Sequence, residues 1–235
     1  MAYNCEKYVI IIIKIENLRG EKMSHYFSEK QEVKSDRKII KYEIENKNFE
    51  FVTDNGVFSK TKVDFGTDVM LKVFLRENLD KKSQKFDILD IGCGYGVVSV
   101  VMKAFFKKIK TTSSDVNERA LELTIENLLK NEIIKDEHDN FEVRKSFVFD
   151  NISENFDVIL SNPPIRAGKQ TIFQIYEQSF EHLNENGEFY CVIQTKHGAK
   201  STQRKLEEVF GNCETLEINA GYRIFRSVKK YKSVK

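Results

Sequence analysis

Three glycines at alternate positions, in the stretch DIGCGYG at 90–96, constrain the fold of this chain more than any other feature. An apolar run at 86–91 leads into them, and a second apolar run at 97–101 follows them. A buried strand, a tight glycine turn and a helix are the first unit of a doubly wound sheet, where nucleotide-like ligands bind at the carboxyl ends of strands. Glycine suits such a turn because it tolerates positive φ and lets the backbone approach a ligand closely. We therefore predict a ligand site between these two runs.

The spacing of the glycines narrows the kind of ligand. The dinucleotide-binding fingerprint needs its third glycine one position after Gly96, where this sequence has Val97. Asp90, close before the loop, favours a ligand with a positively charged amine over a pyrophosphate. A plain glycine turn between the strand and the helix of some other α/β protein is the alternative interpretation.

Length and composition fit one large α/β domain with small additions, because the chain has 235 residues, of which 40% are hydrophobic and 31% charged. A net charge of +2 does not by itself indicate nucleic-acid binding. The four cysteines are scattered without a CxxC pair, so we expect reduced thiols in a cytoplasmic protein and no metal site. The apolar run at 8–15 is far shorter than the ~20 residues of a membrane helix, so no membrane association is expected.

We expect three parts in the chain, an N-terminal extension, a β-hairpin appendage and a main domain, at 1–22, 23–60 and 61–235. The extension is either an extra β-strand or a disordered or artefactual segment upstream of the natural start. The hairpin is predicted to have strands over 38–44 and 49–52, with its turn over 46–48.

From residue 85 onward, β-rich and helical patterns alternate regularly. Strands are predicted near 86–91, 110–115, 141–148, 156–161, 187–194, 213–219 and 222–228. Helices are predicted near 67–79, 97–107, 118–131, 171–184 and 200–210, the first with Thr67 as its N-cap. This alternation predicts an α/β fold with a seven-stranded, mainly parallel sheet and helices on both faces. The last two strands have no helix between them and should form an antiparallel pair at one edge.

An acid, Asp115, ends the second predicted strand of the sheet, about 20 residues after the glycines. A carboxylate at this place can accept hydrogen bonds from two ribose hydroxyls. Capping the following helix is the alternative role, and Asp115 or Asn117 could fill it. We expect Asp115 to bind the ribose and Asn117 to cap the helix.

The only two prolines of the chain, Pro163 and Pro164, follow Asn162 at the end of the strand predicted over 156–161. Proline fixes φ and lacks an N–H, so the pair makes a rigid loop whose carbonyl oxygens are free acceptors. The side-chain oxygen of Asn162 and the carbonyl of Pro163 can each accept one hydrogen of an amine on a flat ring. The nitrogen lone pair is then aimed at an electrophilic methyl group, and Ile165 can pack on the ring. A proline turn that merely ends a strand is the alternative.

These motifs resemble those of the class I S-adenosylmethionine-dependent methyltransferases that act on an amino nitrogen. The wider sequence is similar to the bacterial small-subunit ribosomal RNA guanine-N2 methyltransferase family. This similarity runs from about residue 23 to the C-terminus and includes the segments HYF, GVFS, VDFGT and SNPPIRAGK at 25–27, 56–59, 63–67 and 161–169. Characterised members carry a second, degenerate methyltransferase domain ahead of the catalytic one, and this sequence corresponds to the catalytic half.

The resemblance implies a Rossmann-like fold and a set of site residues. Residues expected to contact the cofactor are Phe65, Gly66, Thr67, Asp90, Gly92, Cys93, Gly94, Gly96, Asp115, Val116, Ser146, Phe147 and Asn162. Residues expected to be catalytic are Asn162, Pro163 and Pro164, and those expected to hold the substrate are Ile165, Arg166 and Lys169. Ser146 stands where the family usually has Asp or Asn beside the adenine.

The activity that the resemblance implies is methyl transfer from S-adenosylmethionine to guanine N2, with ribosomal RNA or the small ribosomal subunit as the partner. Three alternatives stay open: adenine-N6 methylation, glutamine methylation of a protein, and RNA binding without catalysis on the same fold. The cofactor carries the reactive methyl group, so no histidine is expected to act as a base.

Overall fold

The structure is a computed structural model that describes residues 33–134 and 140–230. The predicted extension over 1–22 and the HYF segment at 25–27 lie outside the described residues.

A seven-stranded sheet forms the core, beside a separate two-stranded hairpin. The strands are β1 (Lys38–Ile44), β2 (Lys47–Thr53), β3 (Asp87–Ile91), β4 (Lys110–Asp115), β5 (Phe141–Lys145), β6 (Phe156–Ser161), β7 (Leu183–Gln194), β8 (Glu214–Asn219) and β9 (Tyr222–Val228). The large sheet has the order β5-β4-β3-β6-β7-β9-β8. β3 to β7 pair in parallel, and β9 runs antiparallel to both β7 and β8. The predicted parallel sheet with an antiparallel pair at one edge is confirmed, and within that pair the reversed strand is β9.

Helices cover both faces of the sheet, as predicted. They are α1 (Phe65–Glu77), α2 (Val97–Phe105), α3 (Glu118–Lys130), α4 (Lys169–Glu181) and α5 (Ala199–Phe210). Successive residues of β6 point to opposite faces, as in any strand: Val158 and Leu160 pack with α1, α2 and α3, whereas Ile159 packs with α4 and α5.

The start of α1 differs from the prediction. Thr67 lies inside the helix, and the N-cap is Asp64, whose carboxylate accepts a hydrogen bond of 3.1 Å from the Thr67 backbone N–H. Asp64 has the extended backbone of a cap, and its negative charge also suits the positive end of the helix dipole.

Three other predicted elements have bounds that are wrong by a few residues. β5 ends at Lys145 rather than 148, because Ser146 begins a tight turn in which the Asp150 N–H donates to the Phe147 carbonyl. α4 occupies 169–181, and β7 begins at Leu183, which pairs with Phe156, rather than at 187.

The hairpin turn also lies earlier than predicted. Glu45 and Asn46 form the turn with φ of 47° and 59°, so Lys47 and Asn48 belong to β2. A two-residue turn with positive φ at both positions matches the twist of the two strands.

The hairpin docks on α3 through two asparagines one helical turn apart. The Asn127 amide accepts from the Val52 N–H at 2.7 Å and donates to the Val52 carbonyl at 3.0 Å. Asn131 makes the same pair of bonds with Glu50, at 3.0 and 2.8 Å. These two side-chain amides thus bind backbone N–H and C=O groups along β2, as the backbone of a neighbouring strand would. Since Asn127 also donates to the Tyr95 carbonyl at 2.8 Å, the hairpin is tied to the glycine loop.

Candidate active site

The three predicted motifs meet at the carboxyl end of the parallel strands. Ile91 of β3 lies beside Ser114 of β4 and Ser161 of β6, so the residues that follow each strand are neighbours. These residues are the glycine loop at 92–96, Asp115 and the diproline corner, which we define as 162–164. Parallel sheets bind their ligands at this end of their strands.

The glycine loop has the shape of a ligand cradle. Gly92 and Gly94 have φ of 74° and 56°, and a Cβ added to either one would meet nothing within 4 Å. Gly96 also has a positive φ, of 84°, and it has a second reason to be glycine, because its Cβ would lie 2.8 Å from Thr124 Cγ2. The thiol of Cys93 is buried and lies 3.5 Å from the Thr124 hydroxyl. Open space therefore lies over the first two glycines, while the third packs on α3.

Asp115 supports this loop through its carboxylate. The two oxygens accept from the Gly94 N–H and the Asn117 N–H, both at 2.9 Å. Burial raises the pKa of Asp115, and the backbone N–H groups of Asn117, Gly94 and Val116 oppose that shift. A carboxylate has about four acceptor positions, so acceptor capacity remains for a ribose hydroxyl. Asn117 caps α3 by accepting from the Arg119 N–H at 3.1 Å, which confirms the predicted cap.

Asp90 lies beneath the loop and is only 3% exposed. The Ser99 hydroxyl donates to its carboxylate at 3.3 Å, and burial raises its pKa to about 7. A ligand ammonium group nearby would lower this pKa, because an opposite charge favours the ionised acid.

Asn162 is fixed by two groups of α1. Its Nδ2 donates to Asp64 Oδ2 and to Thr67 Oγ1, both at 3.0 Å. Both amide hydrogens are thus engaged, and no residue within 33–134 or 140–230 donates to Oδ1 at hydrogen-bond distance. Sequence reasoning placed Thr67 at the site but missed Asp64. The available signal was an aspartate at the position of a helix N-cap in the VDFGT segment.

The two prolines differ in their surroundings. Pro163 is buried and Pro164 is exposed. The Pro164 carbonyl accepts from the Ala167 N–H at 2.9 Å in the 3-10 turn Ile165–Ala167. Of the two carbonyls, that of Pro164 is therefore already engaged within the chain.

The residues predicted to hold the substrate follow this corner. Ile165 is 37% exposed, and Arg166 is exposed beside it. Lys169 begins α4, and its Nζ lies 5.0 Å from the centre of the Phe173 ring. All three lie on the solvent side of the diproline corner.

Ser146 uses its hydroxyl within its own loop. The hydroxyl donates to the Val148 carbonyl and accepts from the Asn151 N–H, both at 3.1 Å. The Ser146 N–H donates to the Asp115 carbonyl at 3.1 Å, which places this loop, including Phe147, next to the ribose position. An adenine contact by Ser146 or Phe147 stays a prediction.

The described parts of the chain contain neither a group of side chains suited to a metal ion nor a helix suited to span a membrane. Between residues 33 and 134 and between 140 and 230, no group of three or more His, Cys, Asp or Glu is arranged to hold a metal ion. Within the same ranges, no helix combines the length and apolarity needed to cross a bilayer.

Comparison with known sequences gives one family and several relatives. The family described as "Methyltransferase small domain" matches residues 48–226. "Uncharacterized protein YbxB" of Bacillus subtilis is 41% identical over 207 residues, which are 87% of this chain and 98% of that protein. "Ribosomal RNA small subunit methyltransferase C" of Erwinia tasmaniensis is 33% identical over 178 residues, covering 74% of this chain. This chain spans only 48% of that relative's length.

Solved structures show the same fold. A T. thermophilus 16S rRNA N2 methyltransferase, in complex with AdoMet and guanosine, matches with a TM-score of 0.73 and 21% identity over 83% of this chain and 51% of that one. A ribosomal protein L11 methylase from Lactobacillus delbrueckii matches with a TM-score of 0.58 and 16% identity over 75% of this chain and 90% of that one. The predicted Rossmann-like fold is confirmed.

Proposed function

Since the chain belongs to the methyltransferase small domain family and is a methyltransferase that uses S-adenosylmethionine, we propose that its acceptor is the N2 amine of a guanine in small-subunit ribosomal RNA. The orientation of Asn162 is the observation that carries this proposal, because it offers a fixed acceptor oxygen to an amine. The named relative at 33% identity supports ribosomal RNA as the substrate class.

The residues present fit the cofactor. The space over Gly92 and Gly94 can receive a ligand at close backbone approach, since added Cβ atoms there would meet nothing within 4 Å. Asp115 has acceptor capacity left for ribose hydroxyls, and Asp90 supplies an acid beneath the loop for the amine end. When bound, the cofactor supplies an electrophilic methyl group on a sulfonium, which is the difficult part of the chemistry.

The diproline corner would position the acceptor amine. One hydrogen of the amine would be donated to Asn162 Oδ1 and the other to the Pro163 carbonyl. Turning the Asn162 amide over would bring its oxygen against the Asp64 carboxylate, so the present orientation is the favoured one. A preorganised acceptor of this kind stabilises the charge that develops on the nitrogen. After transfer, the surplus proton of the nitrogen is released to water.

The substrate base must reach this corner from a folded RNA. A base within a helix has to leave its stack before its exocyclic group can react. Arg166 is exposed just after the diproline corner, and Lys169 follows it at the start of α4. We propose that these two cations hold phosphates next to the extruded base.

A transfer assay with labelled cofactor tests the proposal. Recombinant protein would be given small ribosomal subunits, free ribosomal RNA, DNA and protein, and the modified nucleoside would be identified by mass spectrometry. We expect label in RNA as N2-methylguanosine, at a rate at least about 30-fold lower with the Asn162→Ala variant. Label only in protein, or N6-methyladenosine as the product, would contradict the proposed acceptor.

A further inference from the structure

We propose that Phe65 and Tyr222 form an aromatic platform, defined by these two side chains, on which the purine ring of the acceptor nucleotide stacks beside Asn162. This inference rests on the proposed function, because it assigns the binding surface for that acceptor. Ile165, which follows the prolines, offers an aliphatic side chain rather than an aromatic one, so the aromatic surface at this corner comes from other elements.

The sheet topology places Tyr222, which is distant in sequence, at the end of the sheet where the glycine loop and the diproline corner lie. β9 runs antiparallel to β7, so its first residue, Tyr222, pairs with Gln194, the last residue of β7. If this strand ran parallel to β7, its first residue would lie at the opposite end of the strands. The reversed strand therefore places an aromatic ring where the catalytic loops lie.

Close packing fixes the ring against α1. The centres of the Phe65 and Tyr222 rings are 5.5 Å apart, with an angle of 57° between their planes. A Cβ on Gly66 would lie 2.9 Å from both Cδ1 and Cε1 of Tyr222. Glycine is unfavourable within a helix, and Gly66 has no left-handed backbone to explain it. The contact with the Tyr222 ring accounts for the glycine at this position.

The platform adjoins the group that binds the amine. Thr67, the residue after Gly66, accepts a hydrogen bond from Asn162 Nδ2 at 3.0 Å, as does Asp64. Burial raises the pKa of Tyr222, and the nearby charge of Asp64 adds to the shift. The Tyr222 ring, Asp64 and the Asn162 amide thus form one continuous cluster.

The aromatic surface is accessible. Phe65 is 38% exposed, and Tyr222 is partly exposed. Large apolar side chains are mostly buried in the described ranges, and Phe65 and Ile165 are two exceptions. Phe65 follows Asp64, which binds Asn162, and Ile165 directly follows the diproline corner. Aromatic side chains next to an amine acceptor suit a base, because every base has a face that stacks on an aromatic ring.

The test uses 2-aminopurine riboside, a fluorescent nucleoside that carries its amine at the same ring position as guanine. Stacking quenches its fluorescence, and the chain contains no Trp to interfere. The variants are Tyr222→Leu and Phe65→Leu, with Tyr222→Phe as the conservative variant. Ile218→Ala is the control, since Ile218 is 60% exposed on the neighbouring strand β8.

We expect wild type, Tyr222→Phe and Ile218→Ala to quench the probe equally. Tyr222→Leu and Phe65→Leu should lose at least about tenfold in probe affinity, while calorimetry shows the cofactor Kd of Tyr222→Leu within about twofold of wild type. Equal quenching by both leucine variants, no quenching by wild type, or weakened cofactor binding in place of weakened probe binding would overturn the platform. The readout needs no methyl transfer, so it is independent of the nucleoside identification that tests the proposed function.

Discussion

The glycine loop and the diproline corner lie side by side at the carboxyl end of the parallel strands, but they are held in place in different ways. The glycine loop is fixed through its own backbone N–H groups: those of Gly92 and Cys93 donate to the Ser114 carbonyl of β4, and that of Gly94 donates to the Asp115 carboxylate. The prolines have no N–H to donate. The key side chain of their corner, Asn162, is held instead by side chains of α1 that lie 95 and 98 residues away in sequence.

Because the two regions are held by different groups, we expect cofactor binding and acceptor positioning to be perturbed separately. Changes in the glycine loop should act on the cofactor. Changes in the first turn of α1 that loosen Asn162 should act on turnover.

The largest effect is expected for Gly94→Val. A β-branched residue is strained at a φ of 56°, and its side chain would fill the space proposed for the ligand. We expect no cofactor binding by calorimetry. Gly211→Ala is the control for backbone strain alone, because Gly211 has a φ of 71° and open space but lies at the end of α5. Retained binding by Gly94→Val would place the ligand elsewhere.

The next effect is expected for Asn162→Ala. Loss of one preorganised polar contact should raise the barrier by about 2–4 kcal/mol, which lowers kcat by roughly 30- to 1,000-fold. The cofactor Kd should stay nearly unchanged. A variant with full turnover would remove Asn162 from the catalytic role.

A smaller loss is expected for Asp64→Ser. Serine is a good N-cap but is too short to reach Asn162, so the helix keeps its cap while the amide loses one anchor. We expect kcat to fall by about 10- to 100-fold, as for a misplaced reacting group, with unchanged cofactor Kd. The matched control is Asp68→Asn, in the same turn, since Asp68 contacts Tyr42 and Lys72. Equal kcat for the two variants would contradict the role of Asp64.

The last prediction concerns stability and its dependence on pH, and no loss of activity. Burial raises the pKa of Asp90 from 3.8 to about 7, so the folded protein holds a proton that the unfolded chain has lost across this range. The free energy of unfolding therefore falls as the pH rises from about 4 to 7. Urea unfolding of Asp90→Asn should show a flatter dependence than wild type, with the exposed Asp150→Asn as control. Parallel curves for Asp90→Asn and wild type would contradict the assignment.

The comparison also explains which features could be predicted from sequence. β3, β4 and the glycine loop follow from local signals, because an apolar run, three glycines and a terminal acid each act on their neighbours. The cap by Asn117 is local in the same sense and was predicted. The bonds of Asn162 with Asp64 and Thr67 depend on how α1 docks across β7 and β9, and no local pattern encodes that docking.

Tyr222 illustrates the same limit more strongly. The bounds of its strand, β9, were predicted correctly, and the antiparallel pairing of β9 with β8 was also predicted. Its nearness to Asn162 depends on the insertion of β9 between β7 and β8, which is a property of the whole sheet. Ser146 lies beside Asp115, but its hydroxyl is engaged within its own loop, so its contact with the adenine stays a prediction.

A crystal structure with S-adenosylhomocysteine and guanosine bound together would test the central claim most directly. We expect the homocysteine and ribose to lie over Gly92 and Gly94, and the guanine amine to lie within hydrogen-bond distance of Asn162 Oδ1 and the Pro163 carbonyl. A guanosine bound away from the diproline corner, or with its amine turned away from Asn162, would contradict it.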